Sequence, residues 1–469
     1  MNRKTFPIHL SLAIALVLLA AIAGQLRREW HKAADATVRV SELRSPRRPA
    51  EVLVRFRPNV APQEIENIAR ALHDQIEDRI EAVPGLTVIA DEDGLDVDQV
   101  VNQYRARAEV EYAEPNYVIS LDPEFDQPRP SNPDYALPNS DDPDEPDDPM
   151  FGEQWALRNS GQRDGKVGAD IAAMRAWAKT VGSHEVVVAV LDSGVDYLHP
   201  DLINNIWTRP ESIAAYHDPE LGVIDDRHGY NAVDNNGDPM DENGHGTHVA
   251  GIIGAEGDNG IGIAGINWNV RIMPLKFMSA GGFGTTKAAI ECINYVIDRK
   301  RAGVPVRIIN ASWGSTRRSR ALEDAIRRAN DEGILFVAAS GNAGSNTDLS
   351  PHYPASYQLP NVISVAALNR HDQLASFSNY GPRSVHIAAP GAEILSTWLN
   401  GSYEEHSGTS MAAPIVSGVA ALVLSLEPDL SVSDLRARLL ASVDQLESLK
   451  GKIVTGGRIN AARAVGASD

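Results

Sequence analysis

Cysteine is almost missing from this chain: Cys292 is the only one in 469 residues. No internal disulfide can form, so the fold must rest on the size of its core or on bound ions. Positive charge is also scarce. Lys and Arg total 43 against 63 Asp and Glu, a net charge of −20, which excludes a nucleic-acid partner. Part of the imbalance is local, because residues 122–149 hold ten acids and one Arg. No internal repeat is found. What is present is a globular composition, 43% hydrophobic and 23% charged, with ample material for a large core. Cys292 lies in TTKAAIECINYVIDRK, which reads as an amphipathic helix, so a buried, inert thiol is expected.

The first residues read as a targeting segment. IHLSLAIALVLLAAIA (8–23) follows Arg3 and Lys4 and is interrupted only by His9 and Ser11; Ala21 and Ala23 suit a cleavage site before Gly24. Residues 1–24 are expected to be a signal peptide, or an uncleaved anchor that tethers the chain to a membrane facing outside. Either way the folded part is exported. Residues 25–48 are polar and Arg-rich.

Residues 50–121 read as a small α+β unit. EVLVRF alternates like a strand, PQEIENIARALHDQI has helical spacing, GLTVIAD is a strand, DVDQVVNQYRARAEV a second helix and EYAEPNYVIS a last strand. Residues 122–149, rich in Pro, Asp and Asn, cannot form a core and are expected to be a flexible linker. From 150 to 467 short β-branched runs alternate with helical stretches: EVVVAVLD, VRIMPLKF, VRIIN, ILFVAAS and NVISVAA. Such runs mean a parallel sheet covered on both faces, an α/β fold in three layers.

Functional groups in these folds gather at the carboxyl ends of strands. Asp192 ends the first run, Asn342 lies just past the fourth, and the third runs into NASWG. His245, in DENGHGTHVAGIIGA, opens a helix of small residues, and Ser410, in HSGTSMAAPIVSGVAALVL, opens another. Ser410 taken alone is an ordinary helix cap. Together with an acid and an imidazole it becomes a nucleophile. A serine hydroxyl needs a base to take its proton, and the imidazole needs a carboxylate to hold its tautomer. A helix start adds outward N–H groups for a developing oxyanion.

DSGVDYLHPDL, HGTHVAG, NASWG, SGNAG and GTSMAAP resemble, in order, the signature blocks of the subtilisin-like serine proteases, the subtilases, over about Phe151 to Ala464; the order Asp, His, Ser is that of subtilisin. The resemblance implies that Asp192 orients His245, that His245 is the base and Ser410 the nucleophile, and that Asn342 with the Ser410 N–H forms the oxyanion hole. It implies polypeptide substrates bound as an added strand. Gly281, Gly282 and Gly284 of SAGGFG would lie on one side, and Ser312, Trp313 and Gly314 on the other. Ala355 in HYPASY would be the small base of a roomy, mostly apolar pocket with broad preference. It implies a structural calcium ion held by Asp201, Asn259, Ile261, Ile263 and Asp148, the two isoleucines through their carbonyls. A second acidic stretch, with Asp225, Asp226, Asp234, Asp238 and Asp241, is a further candidate for an ion, or else a solvated loop. His199 and His248 read as structural. VEYAEPNYVI (110–119) resembles the inhibitory prodomain of the family, which blocks the groove with its last strand and is removed by a cut in the linker. A monomeric zymogen is expected. Two other readings are a catalytically idle scaffold on the same fold, and an esterase of the α/β-hydrolase type. The intact set of Asp192, His245, Asn342 and Ser410 disfavours the first; the absence of G-x-S-x-G and the serine coming last disfavour the second.

Overall fold

The small unit begins as its alternation dictates. The computed structural model describes residues 50–122, 129–131 and 145–467, so the proposed leader and most of the linker lie outside the described residues. Strand β1 is Glu51–Phe56, helix α1 Pro62–Ala71, β2 Asp74–Arg79, β3 Leu86–Asp91, α2 Val97–Arg105, β4 Val110–Pro115 and β5 Val118–Ser120. The sheet order is β2-β3-β1-β4. Two expectations are corrected. The helical run starting at Pro62 does not reach Ile76: it stops at Ala71, and His73 takes a positive φ of 60°. This releases Asp74–Arg79 to pair with β3. The last strand is two strands, because β4 pairs with β1 whereas β5 leaves the unit and pairs elsewhere.

The rest of the chain builds a nine-stranded sheet. Its members are β7 (Gly182–Asp192), β10 (Tyr230–Asn231), β11 (Asn269–Lys276), β13 (Val306–Ala311), β14 (Leu335–Ala339), β15 (Val362–Leu368), β16 (Ile387–Pro390), β19 (Val443–Gln445) and β20 (Gly457–Ile459). The order is β10-β11-β7-β13-β14-β15-β16-β20-β19, and the pairing is parallel except between the last two. Two small hairpins stand apart from this sheet: β8 (Tyr216–Asp218) with β9 (Gly222–Ile224), and β17 (Ile394–Trp398) with β18 (Ser402–His406). The linker is not featureless, since β6 (Arg129–Ser131) pairs with β18.

Alternation along β7 sorts the two helical layers. Val186, Val188 and Val190 face the cluster that holds the short α3 (Ala173–Trp177), α4 (His245–Gly254) and α7 (Thr409–Leu426). Val187, Ala189 and Leu191 face the one that holds α5 (Thr286–Arg301) and α6 (Arg320–Asp331). Successive strand side chains point to opposite faces, so the apolar run Val186–Leu191 of one strand feeds two cores. Leu53, Leu86, Val88 and Ile119 of the small unit join the second cluster. Helix α7 is long and apolar enough to cross a membrane, but most of it is buried as the central helix of the fold. Cys292 is buried in α5, and burial pushes its thiol well above the usual value.

Candidate active site

Strand β7 ends at Asp192, and α4 begins at His245. The carboxylate accepts from the imidazole, with His245 Nδ1 at 2.7 Å from Asp192 Oδ1; both residues are buried. The Ser193 N–H donates to the same oxygen at 2.8 Å. What holds strand end and helix start together is Asp241, which was weighed above only as a possible ion ligand. Its Oδ2 accepts from the Thr247 N–H (3.0 Å) and hydroxyl (2.7 Å), and its Oδ1 from Ser193 Oγ (3.0 Å) and the Gly244 N–H (3.1 Å). Four residues ahead of His245, it satisfies N–H groups of the first helical turn as a capping carboxylate does. The signal was an acid just before a helix start.

Ser410 is not the cap of α7. The helix starts at Thr409, with Gly408 as the flanking residue and no side-chain cap. Instead Ser410 is clasped to the groove wall: its Oγ donates to the Ser312 carbonyl (2.9 Å), and Ser312 Oγ donates to the Ser410 carbonyl (2.7 Å). Pro414 explains the second bond. It has no N–H, so the carbonyl four residues earlier loses its helical partner and is left for Ser312. Asn310 supports the clasp from below, donating to Ser312 Oγ at 2.9 Å and accepting from Ser417 Oγ at 2.8 Å.

Asn342 follows β14. Its Oδ1 accepts from the Thr409 N–H (2.9 Å) and hydroxyl (2.8 Å), which turns its NH₂ the other way. A Cβ on Gly408 would lie 3.2 Å from Asn342 Nδ2 and 3.5 Å from the Ser410 N, so the two donors stand side by side. His248 and His199 are held by main-chain groups. His248 Nε2 meets the carbonyls of Ile394 (3.1 Å) and Glu404 (3.0 Å), and His199 Nε2 that of Ser402 (3.1 Å). Burial lowers both imidazoles, so they are neutral structural groups.

The groove is filled by the chain's own β5. It pairs antiparallel with β12 (Phe283–Thr285), with Ile119 opposite Gly284. The Leu121 N–H donates to the Gly282 carbonyl at 3.0 Å, and Ser120 bridges to Gly314 on the other side. Gly284 is required here, since a Cβ would come within 2.3 Å of the Phe277 carbonyl. Gly281 makes no such pairing. Trp313 points away from the groove: its indole donates to the Leu191 carbonyl (2.8 Å) and packs on Phe277. Ala355 is buried among the second cluster, and the side chain that meets the occupant is His352, with Nε2 3.4 Å from Asp122 Oδ1.

The two acidic regions diverge. Asp148 and Asp201 are both fully buried. Burial is the main cause that pushes Asp148 up to about 6 and Asp201 up to about 7, and the charge of Asp148 adds to the second. Asn259 donates to Asp201 Oδ1 at 3.0 Å; the Ile263 N–H, not its carbonyl, contacts Asp201 Oδ2 (3.1 Å), and the Ile261 N–H contacts Asn259 (2.7 Å). Among the described residues no three acidic, His or Cys side chains converge as a metal cluster. Two buried carboxylates and the Asn259 amide still supply oxygen donors of the kind that suits calcium. The second stretch does not gather at all. Asp226 is enclosed by Arg209 (2.8 Å), Arg299 (3.2 Å) and Tyr295 (2.8 Å), and Asp225 reaches Arg209 (3.2 Å). Asp234 takes Asn231, Asp238 takes Tyr197, and Asp241 caps α4.

Residues 183–464 match the model of the subtilase family, and residues 48–116 match the fervidolysin N-terminal prodomain. A thermophilic serine proteinase from Bacillus sp. is 32% identical over 98% of both chains. Subtilisin-like protease 1 from Plasmodium berghei is 38% identical over 59% of this chain and 49% of its own length. The crystal structure of fervidolysin from Fervidobacterium pennivorans, a keratinolytic enzyme related to subtilisin, superimposes with a TM-score of 0.68 at 25% identity, over 90% of this chain and 61% of that one. The chain belongs to the subtilase family and is a serine protease with an N-terminal prodomain.

Proposed function

We propose that this subtilase is an exported endopeptidase made as a zymogen, which hydrolyses extended polypeptides through an acyl-enzyme on Ser410. The observation that carries this reading is the 2.7 Å Asp192–His245 pair beside a groove already filled by a strand of the same chain. Because Nδ1–H of His245 is spent on Asp192, the other ring nitrogen is left as the acceptor. It takes the Ser410 proton as the hydroxyl leaves the Ser312 carbonyl and attacks the substrate carbonyl. The oxygen that becomes negative is met by the Ser410 N–H and by Asn342 Nδ2, both preset by their neighbours. His245 then returns the proton to the leaving amine. Prodomain removal opens the groove, with the cut in residues 122–149.

The test is labelling by a fluorophosphonate probe. The mature enzyme should be labelled and the Ser410→Ala chain should not; a folded but unlabelled wild type would leave only a scaffold role.

Calcium, held by Asp148, Asp201 and Asn259 with loop carbonyls, would stabilise the segment that follows α4. A bound ion that is absent from the unfolded chain adds stability by mass action. EDTA should therefore lower the melting temperature by roughly 5–10 °C, read by calorimetry; an unchanged curve would rule the ion out.

A further inference from the structure

The ring of His352 stands where the groove wall, the oxyanion segment and the occupant meet. It is buried, at 6% exposure. A Cβ on Gly314 would meet Cε1, Nδ1 and Nε2 of His352 at 2.1, 2.6 and 2.9 Å, so the nitrogen-bearing edge of the ring faces the groove strand. A Cβ on Gly341, the residue before Asn342, would lie 2.9 Å from the same ring. The ring is thus slotted between two glycines, one on the wall and one beside the oxyanion donor. Its segment is fastened to that wall, since Tyr353 and Ser315 exchange main-chain bonds at 2.7 and 2.8 Å. Nε2 faces the Asp122 carboxylate at 3.4 Å, and Nδ1 has no hydrogen-bond partner.

Asp122 follows directly on the strand that fills the groove. Ser120 bridges to Gly314, Leu121 bonds to Gly282, and the next side chain points at His352. In an extended chain each residue occupies one defined position along a groove. The position next to the Gly314 wall is therefore set by its partner ring. Resting on the peptidase reading above, we infer that His352 makes the pocket beside Ser410 selective for acidic side chains, Asp or Glu, at the residue whose carbonyl is attacked. An imidazole N–H in a closed slot rewards a carboxylate and leaves a polar ring unpaired when an apolar side chain enters. The contact with Asp122 shows the ligand chemistry and assigns no cut there: Asp122 is joined to Pro123, which lacks the amide N–H of an ordinary peptide bond.

The experiment uses mature enzyme from the full chain and internally quenched peptides of sequence Val-Ile-Ser-Leu-X-Ala-Gly, which copy residues 118–121, with X as Asp, Glu, Asn, Leu or Lys. The wild type should show kcat/KM at least tenfold higher for Asp than for the isosteric Asn. His352→Leu should erase that ratio and raise cleavage at X as Leu, while fluorophosphonate labelling stays intact; His352→Gln, which keeps a donor, should fall between. Equal rates for Asp and Asn in a labelled wild type would overturn the inference, as would an unchanged ratio in His352→Leu. If that variant does not fold, the wild-type ratio and His352→Gln decide. A wild type that takes no label overturns the peptidase reading itself, and this inference with it.

Discussion

The prodomain touches the catalytic domain in two regions that differ in kind. In the groove, β5 is held mainly by main-chain bonds, to Gly282, Gly284 and Gly314. Such bonds ask little of sequence, and the one titratable pair described at this contact is Asp122 with His352. Behind the groove, side chains meet. Glu114 of β4 receives the Ser319 hydroxyl (2.5 Å) and the N–H groups of Arg320 (2.9 Å) and Ala321 (3.1 Å), so the prodomain supplies the anion at the start of α6. Further along, Glu77, Asp78 and Glu81 face Asp218, Glu220 and Glu291, with Lys287 and Arg79 as nearby cations. Glu291 is buried there, and burial with the nearby Asp78 raises its carboxyl well above the usual value. The first region blocks like a substrate. The second sets a carboxylate on a helix start beside a crowd of like charges, whose repulsion grows as protons leave.

Three experiments would sharpen or break this contrast. Ser410→Ala should have the largest effect, lowering peptide hydrolysis by about 10⁶-fold. It should also leave the prodomain covalently attached on a denaturing gel, with both contacts intact. A processed Ser410→Ala chain would show that another protease matures this one. Next in size is Glu114→Ala. Losing a helix-capping carboxylate costs about 1–2 kcal/mol, so the prodomain should dissociate roughly ten times faster. The readout is a shorter lag before activity, and an unchanged lag would place all the holding strength in the groove.

The smallest effect is on pH. Burial and the neighbouring acids raise Glu291 well above its usual value, raise Glu77 and Glu81, and push Glu220 up to about 7. The complex therefore binds protons that the separated parts release. Affinity is fully present below the ordinary carboxyl range and falls as pH rises through the raised values. Prodomain release should be several-fold faster at pH 8 than at pH 5, by about the effect of one shared proton or less. Glu291→Gln should flatten the profile; the same slope in that variant would assign the protons elsewhere.

Much of this could be read in advance, for reasons particular residues make plain. The five apolar runs became β7, β11, β13, β14 and β15 within a residue or a few, since a strand buried on both faces has to be apolar throughout. The places of Asp192, His245, Asn342 and Ser410 at strand ends and helix starts were legible because a strand tip or helix start is itself a local sequence event. The end of α1 was not, because Asp74–Arg79 gains more from pairing with β3 than from extending a helix, and that partner lies distant in sequence. Nor was the double role of EYAEPNYVIS, whose halves bond to different sheets.

By itself the sequence determined the fold class, the order along the chain of the proposed catalytic residues, and the presence of an N-terminal prodomain. It also determined, through Pro414, that the Ser410 carbonyl would need a partner. The tertiary structure decided what each polar side chain is for. Asp241 and Asp226 look alike in one acidic stretch, yet one caps α4 beside Thr247 and the other is enclosed by two arginines. His352 and Ala355 stand three apart in one segment, yet only His352 meets the groove's occupant. Hydrogen bonds and ion pairs act over about 3–4 Å, and which groups come that close is settled by the packing of strands and helices far apart in the chain.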